Sequence, residues 1–365
     1  MFNRTQTRRV KVGNVSVGGD ARVSVQTMCN LNPLAVDEIV SQICASYELG
    51  CDIYRLAVPT LEAAEAFGKI KKRSPIALVA DIHFDYRLAL AALENGADAL
   101  RINPGNIGGE ENVRKVAQAA AKRGAAIRVG VNMGSLEKDL ARKYREGILS
   151  ASEALCQSAL SHVKILEDQG FGDIVISAKA SNVADTIAVY RLLAERTDCP
   201  LHIGVTEAGT LLPGAVRSSV ALGILLSEGI GNTVRVSLTD RPEREVLVGM
   251  EILRSLGMRS AGPSITSCPT CGRTKVDLFS VASAVEEELH KVYSQLVRKN
   301  GGDVAFPHVA VMGCAVNGPG EAKGADIALC GADGDFVLYV KGEAVERVSQ
   351  VDAVRKVVDY VVSLQ

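Results

Sequence analysis

Between residues 22 and 240, short runs rich in β-branched residues alternate with longer stretches of helical apolar spacing. The runs are "RVSVQTM" (22–28), "DIYRLAVP" (52–59), "IALVADIH" (76–83), "DALRINPG" (98–105), "AIRVGVNMG" (126–134), "DIVISAKAS" (173–181), "LHIGVTEAG" (201–209) and "TVRVSLTD" (233–240). Stretches such as "VDEIVSQICASYELG" and "ENVRKVAQAAAKRG" lie between them, and several end in glycine, as a helix C-cap does. Eight strands alternating with helices is the count of a (β/α)8 TIM barrel. A doubly wound open sheet would show the same alternation.

Polar side chains interrupt these apolar strands in an ordered way. Arg55, Arg101, Arg128 and Arg235 each sit inside one. With the period of two of a strand, Arg101 shares a face with Asn103, Arg128 with Asn132, Arg235 with Ser237, and Asp81 with His83. Lys179 and Glu207 lie toward the ends of the sixth and seventh strands. A buried guanidinium costs several kcal/mol unless paired, so each arginine could answer a structural carboxylate such as Asp81 or Glu207. As a set near the C-terminal strand ends, where barrel active sites are built, the five cations call instead for a phosphate or diphosphate. Glu207, before the "AGT" turn, is placed to move protons. The Gly-rich "EGIGN" (228–232) lacks the context of a dinucleotide site and is expected to be a loop.

After the helix "REVLVGMEILRSLGMR" the texture changes, and the chain is expected to divide into residues 1–260 and 261–365. "SAGPSITS" reads as a linker; a helix (about 277–299), strands at 308–314, 325–331 and 335–341 and a last helix (about 349–363) make a small α+β module. Its "SCPTCG" holds Cys268 and Cys271, and "VMGCAVNGPGEAK" holds Cys314 and a turn leading to Glu321. Cys-x-x-Cys with a distant Cys is a metal signal. Zinc would need a fourth ligand, for which Cys330 is available. An iron–sulfur cluster on Cys268, Cys271 and Cys314 would leave one iron for a hard, exchangeable oxygen donor, and Glu321 suits that. Cys29, Cys44, Cys51, Cys156 and Cys199 are scattered and receive no role.

Composition removes some classes of partner. A net charge of −1 makes no case for nucleic acid or a membrane surface, and the absence of Trp argues against base-stacking platforms. No apolar stretch approaches a membrane span, and the basic N-terminus lacks the apolar region of a secretory signal, so a cytoplasmic location is expected. Nine cysteines there mean metal or catalysis rather than disulfides.

The stretches "VADIHFDYRLAL", "LRINPGNIG", "RVGVNMGSLEKDL", "GVTEAG", "LLSEGIGNTVRVSL", "CPTC" and "GCAVNGPGEA" resemble the 4-hydroxy-3-methylbut-2-enyl diphosphate synthase family of the non-mevalonate isoprenoid pathway. The likeness runs from about residue 9 to 322, in the two-domain bacterial form. It implies reductive ring opening and dehydration of 2-C-methyl-D-erythritol 2,4-cyclodiphosphate by two electrons. It further implies a [4Fe–4S] cluster on Cys268, Cys271, Cys314 and Glu321, and substrate contacts from Arg55, Arg101, Asn103, Arg128, Asn132, Lys179, Arg235 and Ser237. Glu207 matches the family's proton-transferring acid. A head-to-tail homodimer, in which one subunit's cluster domain covers the other's barrel, follows from the same likeness. No flavin or nicotinamide site is legible, so a flavodoxin or ferredoxin is the expected donor. A non-redox phosphate-binding barrel with a structural zinc held through Cys330 is the alternative.

Overall fold

The computed structural model describes residues 3–316, 318, 320 and 323–365. Contacts divide them into two compact units, one built from residues up to Arg259 apart from 48–50, and one built on Ser260–Gln365.

The first unit opens with an antiparallel hairpin, β1 (Val10–Val12) and β2 (Val15–Val17), turned at Gly13 with φ of 59°. Eight parallel strands follow: β3 (Ser24–Met28), β4 (Ile53–Ala57), β5 (Ala77–Asp81), β6 (Ala99–Ile102), β7 (Ala126–Asn132), β8 (Ile174–Lys179), β9 (His202–Ile203) and β10 (Thr233–Val234). Their order is β8-β7-β6-β5-β4-β3-β10-β9. A parallel bridge from Ile176 to Leu201, with the Ile176 N–H on the Pro200 carbonyl at 2.9 Å, joins the two ends into a barrel. This is the (β/α)8 architecture, with helices covering strands that are buried almost throughout.

Hydrophobic side chains of the hairpin close the barrel floor. Val10, Val12 and Val17 pack against Ile53, Ala77, Val79, Ala99, Ala126 and Val175. Full burial of each such valine stabilises by about 1.5–3 kcal/mol. The lower barrel is thereby a packed core, and open space is left to the C-terminal strand ends.

The last two barrel strands are much shorter than their sequence runs. Beyond Ile203 and Val234 the ladder gives one more bond, from the Arg235 N–H to the Ile203 carbonyl at 3.1 Å. The Thr206 N–H then turns to the Ala180 carbonyl at 3.0 Å, and Glu207 takes a left-handed φ of 53°. A strand cannot continue through such a residue.

The second unit carries a five-stranded sheet of β11 (Ser264–Ser267), β12 (His308–Met312), β13 (Ile327–Ala332), β14 (Asp335–Val340) and β15 (Glu343–Val348), in that order. The first three strands are parallel and the last two antiparallel to their neighbours. Helices Leu278–Asn300 and Gln350–Ser363 bury Leu278, Val285, Leu289, Val357 and Val361 against Val309, Val311, Leu329 and Leu338. The "SITS" segment, expected as linker, is thus the strand that positions Cys268. No described helix is long and apolar enough to cross a membrane.

Candidate active site

Register builds the barrel site. Asp81 pairs with Arg101 and Arg101 with Arg128 across three adjacent strands, while Met28 pairs with Arg55 and Asn132 with Lys179. These side chains surround a cavity of about 250 Å3. Of the residues expected from sequence, Arg55, Asp81, His83, Arg101, Arg128, Asn132, Lys179 and Arg235 line it; Met28, Gly130, Val131, Ser177 and Thr206 complete the wall.

Gly130 inside β7 and Gly204 just past the end of β9 make room for the cations. A Cβ at Gly130 would fall 2.3 Å from Arg101 Nε, and one at Gly204 would meet the Arg235 carbonyl at 2.3 Å and Lys179 Nζ at 3.1 Å. Glycine within a strand marks such a close approach.

Five cations meet two carboxylates here. Asp81 lies 3.7 Å from Arg55 Nε and 3.3 Å from Arg101 Nη1. Glu245, from the helix Pro242–Ser255, takes Arg235 Nη2 at 3.1 Å. Arg101 also donates to the Gly130 carbonyl at 3.0 Å. Arg128 donates from Nη1 to Gln26 Oε1 at 3.0 Å, and its buried Nε and Nη2 have no partner. Five cations less two carboxylates leaves a formal surplus of three positive charges.

The electrostatics register that surplus. Burial, then repulsion from Arg55 and Arg101, drives Arg128 well below its ordinary pKa. Burial, followed by Arg235, Arg128 and Arg55, does the same to Lys179, whose Nζ lies 3.2 Å from His202 Nε2. Burial lowers Arg55 to about 10, with Asp81 opposing the shift. Burial would raise Asp81, yet Arg55, the neighbouring His83 and Arg101 hold its carboxyl well below the usual range. Groups so displaced demand a multiply charged anion, which relieves the repulsion and satisfies the spare donors.

Three expected residues stand apart from the cavity wall. Asn103 is buried after β6, its Oδ1 accepting the Gly105 N–H at 3.2 Å and its Nδ2 unpartnered. Ser237 is half-buried on the segment following β10. Glu207 is exposed beside the wall residue Thr206, and the carboxylate that pairs with Arg235 is Glu245. Sequence reasoning missed Glu245, as well as Gln26 and His202.

A larger cavity of about 510 Å3 lies at the opposite, N-terminal strand ends, lined by residues that include Arg4, Thr7, Asp198 and Asn232. Its polar groups are engaged structurally. Arg4 donates to the Ala21 carbonyl at 2.7 Å, and Asn232 bridges the Leu201 N–H and Thr7 Oγ1. It gathers no comparable set of cations.

In the second unit, Ser267 pairs with Val311, so Cys268 and Cys314 leave the ends of adjacent parallel strands. The Gly313 N–H donates to Cys268 Sγ at 3.2 Å. Cys271 is exposed, and the Arg273 backbone N–H, with that residue's charge, holds its thiol below the ordinary value. Cys330 is buried on β13 among Ala310, Met312, Ala325 and Ala328, and burial pushes its thiol up to about 12. Among the described residues no group of three or more His, Cys, Asp or Glu side chains is arranged to hold a single metal ion. Glu321 lies outside the described residues. Two thiols following neighbouring strand ends, one of them receiving a backbone N–H, with Cys271 three residues beyond Cys268, are a donor set chemically suited to an iron–sulfur cluster.

Comparison with known proteins gives two family matches. Residues 7–250 match the GcpE TIM-barrel domain, and residues 264–363 match the GcpE protein C-terminal domain. A protein of Geobacter sulfurreducens named 4-hydroxy-3-methylbut-2-en-1-yl diphosphate synthase (flavodoxin) is 51% identical over 349 residues, covering 96% of this chain and 95% of its own. Proteins of the same name are 51% identical in Clostridium acetobutylicum, covering 96% of both chains, and 52% identical in Maridesulfovibrio salexigens, covering 95% of this chain and 93% of the relative.

Proposed function

The chain belongs to the GcpE family, and from that premise we propose that it reduces 2-C-methyl-D-erythritol 2,4-cyclodiphosphate to 4-hydroxy-3-methylbut-2-enyl diphosphate, with flavodoxin as electron donor. The observation that carries the reading is the cationic cavity at the C-terminal barrel ends, with its formal surplus of three charges and spare donors on Arg128. A cyclic diphosphate is small enough for such a space and brings the compensating charge.

In this reaction two electrons and two protons enter, the ring C–O bond to phosphate breaks, and a hydroxyl leaves as water. Arg55, Arg101, Arg128, Lys179 and Arg235 hold the diphosphate, with Asn132 at the same wall. Asn103 and Ser237 complete the polar contacts once ligand is bound. Asp81 orients Arg55 and Arg101 and receives His83 at 3.7 Å. Glu207 delivers a proton. Its left-handed φ of 53° costs of order 1 kcal/mol for a non-glycine residue, a strain typical of positions whose side chain has a task.

Cys268, Cys271 and Cys314, with Glu321 as exchangeable ligand, would hold a [4Fe–4S] cluster. When bound, the cluster supplies the electrons and an iron with an open position. The resemblance further supports a cytoplasmic enzyme working as a head-to-tail homodimer; full activity in a stable monomer would contradict that arrangement.

The test is anaerobic reconstitution with iron and sulfide, followed by measurement of iron, acid-labile sulfide and zinc in the wild type and Cys330→Ala. About four irons and four sulfides per chain in both are expected of a [4Fe–4S] cluster that leaves Cys330 unused. Stoichiometric zinc without sulfide, lost in Cys330→Ala, would overturn the redox reading in favour of a structural zinc.

A further inference from the structure

Behind the cationic wall lies a carboxylate that takes no part in lining the cavity. Glu245 sits in the first turns of the helix Pro242–Ser255 and is 4% exposed. Four donors converge on it: Thr27 Oγ1 from β3 at 2.7 Å, Arg235 Nε at 3.3 Å, Arg235 Nη2 at 3.1 Å, and the Leu238 N–H at 2.9 Å.

Every one of these contacts bears on the anion site. The two arginine bonds hold the guanidinium from one edge, which fixes its plane and leaves Nη1 directed elsewhere. The Leu238 bond pins the irregular segment after β10, on which Ser237 lies. The Thr27 bond ties both to β3, two strands of the barrel thus being locked through one side chain. The helix N-terminus favours the negative charge that makes these bonds strong. Asp81 serves Arg55 and Arg101 from within the cavity wall; Arg235 is served from outside it, so an incoming anion does not compete with Glu245 for space.

We propose that Glu245 is the positioning residue for diphosphate recognition at this end of the barrel, acting through Arg235. The proposal rests on the reading of the cavity as a diphosphate site. A purely structural ion pair would hold the fold without affecting the anion.

The experiment is a double-mutant cycle read as the Kd for pyrophosphate by calorimetry, with thermal unfolding of each variant, on the full-length chain. Glu245→Gln keeps the shape but turns an amide toward Arg235, and its Kd should rise about 10–100-fold, the loss of one to two well-aligned charged hydrogen bonds. Arg235→Met should weaken binding to a similar or greater extent. The double variant should bind no more weakly than Arg235→Met within about twofold, because residues acting through one another are not additive. Glu245→Asp, which retains the carboxylate at shorter reach, should fall between wild type and Glu245→Gln, and it carries the test if Glu245→Gln fails to fold. A folded Glu245→Gln or Glu245→Asp with wild-type Kd would overturn the inference, as would effects that multiply in the double variant. Failure of the wild type itself to bind pyrophosphate would instead overturn the diphosphate reading on which the inference stands.

Discussion

Arg128 is the residue at which binding and stability should part most clearly. Without an anion its buried Nε and Nη2 have no partner, and Arg55 and Arg101 repel it. Each unsatisfied donor of a charged group costs about 1–3 kcal/mol. Arg128→Met removes both of them and the repulsion, at the expense of one bond to Gln26, worth about 1–2 kcal/mol. Midway through those ranges the balance favours the variant by roughly 2–3 kcal/mol, in line with the behaviour of other buried ionic groups replaced by apolar ones. At about 2–4 °C per kcal/mol for a domain of this size, the barrel should melt roughly 4–12 °C higher than wild type. Binding should move the opposite way. Two charge-assisted hydrogen bonds lost at about 1.5–3 kcal/mol each weaken pyrophosphate by about 100-fold or more. Pyrophosphate at 100 times the wild-type Kd stabilises the wild type by about 2.7 kcal/mol but the variant by only about 0.4 kcal/mol. The assay is thermal unfolding of both proteins with and without pyrophosphate. A variant that melts below the wild type in the absence of anion, or one that pyrophosphate protects equally well, would refute the charge-surplus argument.

Three further outcomes follow from the same geometry. Lys179 has its pKa depressed in the empty cavity and restored by an anion, so pyrophosphate binding should take up a proton between the two values. Its Kd should then rise with pH, by up to about tenfold per unit; calorimetry in buffers of different ionisation enthalpy checks this, and a buffer-independent heat would count against it. Asp81→Asn leaves Arg55 and Arg101 without their carboxylate and should destabilise the anion-free barrel by about 2–4 kcal/mol, with pyrophosphate restoring more than in the wild type. Since the Asp81 pKa is depressed in the folded state, its stabilisation is complete above the unfolded value of about 3.9 and is lost as pH falls below it. Melting curves of Asp81→Asn should therefore show a shallower loss below about pH 4, and an unchanged slope would contradict that. Gly130→Ala should push Arg101 from its place and raise the pyrophosphate Kd by about tenfold, the value of one charged hydrogen bond; tight binding by the variant would show that the cavity tolerates the methyl group.

Much of the barrel was legible because buried parallel strands must be apolar and β-branched, so charges inside them stand out. Arg55, Arg101, Arg128, Lys179 and Arg235 were visible for that reason, and the period of two placed them together. The same periodicity misled where the chain leaves the ladder. Ser237 and Glu207 follow strands that end at Val234 and Ile203, and beyond those points alternation no longer dictates direction. Glu245 was hidden because Glu243 and Glu245 open a helix, where acidic residues are ordinary and usually solvated. Its burial depends on Thr27 and Arg235, both remote in pattern. The glycines of "RVGVN" and "HIGVT" were a readable signal that a large side chain crosses the strand there. The β1–β2 hairpin went unseen because its strands are only three residues long, and β15 because "EAVERV" alternates charge along a largely exposed edge. "SAGPSITS" looked like a linker through its glycine and proline, yet its last four residues pair with β12 and set Cys268 beside Gly313.

In the proposed reaction a cationic barrel and a thiol-held cluster together reduce a cyclic diphosphate. Its most direct test is turnover of the anaerobically reconstituted protein with prereduced flavodoxin and 2-C-methyl-D-erythritol 2,4-cyclodiphosphate, counting electrons drawn from flavodoxin per molecule of product. Two electrons should be consumed for each 4-hydroxy-3-methylbut-2-enyl diphosphate formed, with both processes lost in Cys271→Ser. Protein that carries its cluster and binds the cyclic diphosphate, yet leaves both flavodoxin and substrate unchanged, would contradict it.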